Sequence, residues 1–105
     1  MPSNTEIIDS LVKQIIGLVN PLRVILFGSA ARGEAGPSSD LDILVVMPDG
    51  ANRRRTAQYL YRELDATGIS LDILVSTPSV LERHKDNIGL IYRTILHQGR
   101  EIYAA

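Results

Sequence analysis

Gly28-Ser29 and, ten residues further on, Asp40-Leu41-Asp42 set a tight turn and a hydroxyl beside two carboxylates. Gly28 has no side chain, so its amide can come close to a ligand oxygen, and the Ser29 hydroxyl can bond a phosphate directly. Asp40 and Asp42 are two positions apart in a segment that reads as a strand. Alternation therefore sends both carboxylates to one face and Leu41, Ile43 and Val45 to the other, which packs in the core. Two carboxylates about 4 Å apart repel by roughly 4 kcal/mol at an effective dielectric near 20. A divalent cation between them removes that cost, and without one, one of the pair should take up a proton. Arg32, a turn beyond Ser29, adds a permanent forked charge suited to phosphate. These residue types in this order outline a metal-dependent phosphoryl-transfer site.

A third acid comes from an echo in the chain: Leu41-Asp42-Ile43-Leu44-Val45 recurs letter for letter as Leu71-Asp72-Ile73-Leu74-Val75. The stretch between the copies is long enough for a crossover helix. A right-handed crossover makes the copies parallel neighbours, which brings Asp72 alongside Asp42 and lets three carboxylates converge. Two buried strands of similar composition would explain the Leu, Ile and Val positions. They would not explain the aspartates, since an acid inside an apolar strand is costly unless paired or metal-bound. One echo does not make a repeat protein.

The elements that must position these groups follow from local pattern. Val24-Ile25-Leu26-Phe27 is a short apolar run ending at Gly28 and reads as a buried strand. Ala30-Ala31-Arg32 open a short helix whose N-terminus favours anions. The loop 33–39 is dense in turn residues, and the strand Asp40 to Val46 follows. Ala51 to Thr67 supplies the crossover helix, with Tyr59, Leu60 and Leu64 apolar and Gly68 as its stop. A first helix is expected from about Thr5 to Val19, with Ser3 and Glu6 as a capping box, Ile7, Ile8, Leu11, Val12, Ile15 and Ile16 as its apolar stripe, and Asn20-Pro21 as its end. Thr77-Pro78 caps a helical region that runs to Gln98, with a break near Asn87-Ile88-Gly89. Gly99 stops it, and Arg100 to Tyr103 form a short final strand or an ordered tail.

The set Gly28-Ser29, Asp40-Leu41-Asp42 and Asp72 on a later strand resembles the nucleotidyltransferase superfamily of DNA polymerase beta. Within it the chain is similar to the minimal nucleotidyltransferases, which consist of the catalytic core alone. The resemblance implies an α/β (α+β-like) nucleotidyltransferase fold, a small mixed sheet of three to four strands flanked by helices, with 1–105 as a single domain. It further implies that Asp40 and Asp42 hold two Mg2+ ions on ATP, that Asp72 joins the metal-binding carboxylates and helps to activate the acceptor hydroxyl, and that Gly28, Ser29 and Arg32 grip the phosphates. Related minimal enzymes are the antitoxin halves of HEPN/MNT toxin–antitoxin pairs, which can adenylylate a tyrosine of a small helical HEPN partner. The expected function is therefore AMP transfer from ATP to a partner hydroxyl, in a homo- or hetero-oligomer. A non-catalytic nucleotide-binding subunit and transfer to a small molecule are the alternatives.

Composition bounds these readings. With 105 residues and 45% hydrophobic content, the chain makes one domain that buries somewhat over ~60% of its unfolded surface. A net charge of -1, from 11 basic and 12 acidic residues, argues against general nucleic-acid binding. No apolar run approaches the ~20 residues of a membrane span, and Met1 to Glu6 lack the blocks of a signal peptide, so a cytoplasmic protein is expected. The absence of cysteine excludes disulfides, thiol catalysis and thiolate metal sites.

Three further groups invite a reading. Arg53-Arg54-Arg55 either meet triphosphate, RNA or an acidic partner, or form a solvated helix end, where positive charge opposes the helix dipole. His84 and His97 have no companion at ligand spacing and read as structural or surface residues. Tyr59, Tyr61, Tyr92 and Tyr103 are core or interface residues unless one of them stacks on a base.

Overall fold

Apolar residues at every third or fourth position make the N-terminal segment an amphipathic helix, and α1 spans Asn4–Val19 with Ile8, Leu11 and Ile15 buried. Asn20 ends it at φ 51°, its N–H donating to the Ile16 carbonyl at 3.1 Å. Asparagine is among the few residues that take this left-handed conformation readily. There follow β1 (Arg23–Phe27), β2 (Leu41–Val46), α2 (Arg53–Glu63), β3 (Leu71–Ser76), α3 (Pro78–His84), α4 (Ile91–Gln98) and β4 (Arg100–Ala104). This computed structural model describes residues 4–28, 40–65, 69–87 and 91–105. Ser3, Ser29, the short helix expected at Ala30 to Arg32, Gly68, Ile88 and Gly89 lie outside the described residues.

The four strands are ordered β3-β2-β1-β4. β1 runs antiparallel to both β2 and β4, and β2 is parallel to β3 with α2 as the crossover. The two Leu-Asp-Ile-Leu-Val copies lie side by side, residue for residue, Asp42 opposite Asp72. The expected small mixed α/β sheet is thus present, and the parallel pairing of the copies is as the echo predicts. β4 realises the strand option for Arg100 to Tyr103.

Both faces of the sheet are covered. On one face, Ile8, Leu11 and Ile15 of α1 and Leu60 of α2 pack on Val24, Leu26, Leu41, Ile43, Val45, Ile73 and Val75. On the other, Leu81 of α3 and Ile95 of α4 cover Ile25, Leu44 and Val46, with Phe27, Leu74 and Tyr92 partly buried at the margin. The core is therefore not confined to the Leu41, Ile43 and Val45 side. The face that carries Asp42 is apolar at its centre, through Ile25, Leu44 and Val46, with the aspartates at one end and Arg23 and Ser76 at the other.

The helix ends explain the spacing of the layers. Asn52 caps α2, its Oδ1 accepting from Arg55 N–H at 2.9 Å. The helix stops at Leu64, which is extended at φ -73° and ψ 131°, short of the expected Thr67. The cause is long-range: Gln14 Nε2 donates to the Asp65 carbonyl (3.2 Å) while Asp65 N–H donates to Gln14 Oε1 (2.9 Å), holding Asp65 out of the helix. Thr77 caps α3 with Pro78 in its first turn. Asp49 secures the same turn, accepting from Ser79 N–H (3.0 Å) and Ser79 Oγ–H (2.6 Å), bonds that hold its carboxyl below the usual range. The break between α3 and α4 falls between His84 and Ile91, as expected. Gly99 ends α4 where a Cβ would run into the Ile95 carbonyl and stand 2.7 Å from Ile25 Cγ2, so the α4–β4 turn can press directly on β1. Among the described residues, no helix is long and apolar enough to cross a membrane.

Candidate active site

The site forms where three strand ends coincide. β1 ends at Phe27, which pairs with Asp42 near the start of β2, and Asp42 in turn pairs with Asp72 near the start of β3. Gly28 follows β1 at φ 72°, and a Cβ there would collide with the Asp42 carboxylate oxygen and lie 3.1 Å from its Cγ. The conformation and the close approach both require glycine. The backbone at Gly28 and the Asp42 carboxyl thus share one small space.

The electrostatics match two acids forced together. Asp42 is half-buried and its carboxyl is raised above the ordinary value, first by desolvation, then by the charge and hydrogen bonding of Asp72, and lastly by the charge of Asp40. Desolvation and like charge both penalise the ionised form. Oxygen ligands that repel one another at a solvent-accessible point are what a hard divalent cation takes, so the donor set fits such an ion.

Asp40 immediately precedes β2, close enough for its charge to add to the raising of the Asp42 carboxyl. Among the described residues no three His, Cys, Asp or Glu side chains gather at metal-holding distance; the structure joins Asp42 and Asp72 and leaves Asp40 exposed at the lip. Ser29 and Arg32 lie outside the described residues.

A pocket of about 280 Å³ opens over the pair, lined by Phe27, Asp42, Tyr61, Asp72, Ile73 and Leu74. Its walls are largely apolar and its floor carries the two acids. Tyr61 was not singled out by the sequence. Its hydroxyl accepts from Ile73 N–H at 2.7 Å and lies 3.5 Å from the Ile73 carbonyl, too long for a strong bond. No sequence signal separates it from the other tyrosines, because its place depends on how α2 lies along β3. Tyr59 lies beneath Arg62, Tyr92 stacks with His84 at 6.1 Å, and Tyr103 packs against the larger core. His97 is exposed on α4.

Arg53, Arg54 and Arg55 are exposed at the other end of the molecule. β2 leads away from Asp42 to Val46, α2 starts beyond that end, and its 11 residues return toward β3, about 16 Å at 1.5 Å per residue. Tyr61, near the end of α2, reaches the acidic pocket; the three arginines do not. The topology removes the triphosphate reading for them. A slightly larger cleft, about 300 Å³, sits at that far end between Arg23, Val46, Leu81 and Lys85, and it lacks paired acids.

The family model of the nucleotidyltransferase domain matches residues 8–103. Among solved structures, a candidate nucleotidyltransferase from Sulfolobus solfataricus is similar at 26% identity and a TM-score of 0.57, over 76% of this chain and 72% of that one. A toxin–antitoxin structure with AMP-PNP is similar in fold, with a TM-score of 0.59 and 23% identity over 98% of this chain and 75% of that one. No curated protein matches. With nearly the whole sheet and both helical layers inside the matched span, the chain belongs to the nucleotidyltransferase domain family.

Proposed function

We propose that this protein is a magnesium-dependent nucleotidyltransferase that moves AMP from ATP to a hydroxyl, a tyrosine's, on a HEPN partner, and so acts as the antitoxin of a pair. The observation that carries this reading is the pairing of Asp42 with Asp72 at an open sheet end, against the backbone of Gly28, in a chain of this family. The toxin–antitoxin neighbour with AMP-PNP supports the choice of partner class and of ATP. We read 1–105 as one domain and its setting as cytoplasmic.

In this mechanism Gly28, Ser29 and Arg32 receive the triphosphate, the glycine by letting its backbone approach, the serine by its hydroxyl and the arginine by its forked charge. Asp40, Asp42 and Asp72 would hold Mg2+, which when bound neutralises charge on the attacking and leaving oxygens. Asp72 stands on the exposed side of the pair, open to an incoming acceptor, and accepts the proton of its hydroxyl. The acceptor oxygen bonds to the α-phosphorus as the bond to pyrophosphate breaks, largely by positioning and electrostatics. Phe27 and Leu74 offer apolar walls on which an acceptor's aromatic ring can rest.

The test is incubation of the purified protein with ATP labelled at the α-phosphate, magnesium and host-cell lysate, beside Asp42→Asn. Label on a discrete protein band with the wild type alone is the expected result. Label only in small-molecule fractions replaces the acceptor, and no label with any nucleoside triphosphate favours a nucleotide-binding subunit without turnover.

A further inference from the structure

β3 is an edge strand, and edge strands fray where nothing holds their outer backbone groups. Leu41 N–H donates to the Ser70 carbonyl and Met47 N–H to the Ser76 carbonyl. The even-numbered residues of β3, Asp72 among them, therefore turn their backbone groups to β2, and the odd-numbered ones face outward. Ile73 is the outward residue next to Asp72, and its N–H is taken at 2.7 Å by the Tyr61 hydroxyl. Tyr61 is 52% exposed, the large apolar side chain left most open among the described residues. Its ring lines the acidic pocket while its hydroxyl is tied to the strand. Asp72 is thus fixed from two sides, by β2 on one and by Tyr61 on the other.

We propose that Tyr61 is a positioning residue: by holding Ile73 N–H at the open edge of β3, its hydroxyl keeps the Asp72 carboxylate opposite Asp42. The inference deepens the reading of this site as a nucleotidyltransferase centre and rests on it for its meaning in turnover. Tyr61 performs no proton transfer. A carboxylate displaced by about 1 Å can cost on the order of 100-fold in rate, so an edge contact one residue from Asp72 has leverage on the reaction.

Tyr61→Phe keeps the ring and removes the hydroxyl. In the ligand-free variant, amide exchange at Ile73 should quicken about ten-fold while Leu44, whose backbone groups turn to β1 and not to β3, is unaffected. Manganese, used as the probe ion, should bind several-fold more weakly. For transfer, kcat should fall about ten-fold with KM for ATP within about two-fold. Faster exchange with unchanged manganese affinity and kcat would make the hydroxyl a strand fastener alone and overturn the proposal. Unchanged exchange would overturn it as well. A wild type that transfers nothing would sink the functional reading, yet exchange and manganese affinity would still decide the role of Tyr61, since neither requires turnover. Should Tyr61→Phe lose its fold, Ile73 exchange and manganese affinity in Tyr61→His, which retains a polar ring, decide by the same criteria.

Discussion

β2 and β3 carry the same five residues and hold different positions. In β2, Leu41, Ile43, Leu44 and Val45 are all buried, Leu44 completely. In β3, Ile73 and Val75 are buried, while Leu71 and Leu74 are only partly covered and Asp72 is exposed. β2 is enclosed by β1 and β3, whereas β3 forms an edge. Identical local sequence sets strand character and the facing of each side chain; the neighbours set exposure. For the acids the difference has chemical use. The enclosed one is desolvated and raised, a poor choice for standing ionised alone, and the open one can meet an acceptor from solvent.

The strongest way to break the comparison is at the acids. Asp42→Asn and Asp72→Asn should each lower transfer by about 10²- to 10³-fold or more, measured as label incorporated per minute. Chelation of divalent ions should do the same to the wild type, with recovery in excess magnesium. Next come the leucine twins. Leu44→Ala should cost about 2–5 kcal/mol in urea unfolding, and Leu74→Ala less than half of that, because it already touches solvent. Equal costs would show that β3 is covered in solution. Gly28→Val should weaken ATP binding and cost about 1–3 kcal/mol of stability, since φ 72° and the Asp42 carboxyl both refuse the side chain. The smallest effect is on pH. Asp42 binds its proton more tightly folded than unfolded, so its contribution destabilises at neutral pH, and that penalty is relieved as pH falls through its raised pKa toward 3.8. The melting temperature of ligand-free Asp42→Asn should exceed that of the wild type at pH 7 by a few degrees and converge with it near pH 4.

Much of the scaffold was legible because its signals are local. The apolar run Val24 to Phe27 ends at a glycine, Thr77-Pro78 announces α3, and Gly99 stops α4. The echo around Asp42 and Asp72 carried the parallel pairing, since two acids in apolar strands needed each other. What escaped was set by distant partners. Leu64 leaves the helix because Gln14, far away in sequence, grips Asp65. Leu44 and Val46 are covered because α3 and α4 return over that face. Tyr61 belongs to the pocket only through the packing of α2 on β3.

The placement of β4 bears on how the molecule is made. Arg23 meets Glu101 across 78 positions, and β1, at the heart of the sheet, pairs with β2 long before it can pair with β4. Closing so long a loop is slow compared with forming the β1–β2 hairpin or the β2–α2–β3 unit. Until that closure, Val24, Ile25 and Leu26 present an unpaired apolar border, the form of surface that recruits other chains. Assembly of this protein in the cell is thus a race between its final strand and its neighbours, and crowded expression should expose that interval before any defect of the finished fold.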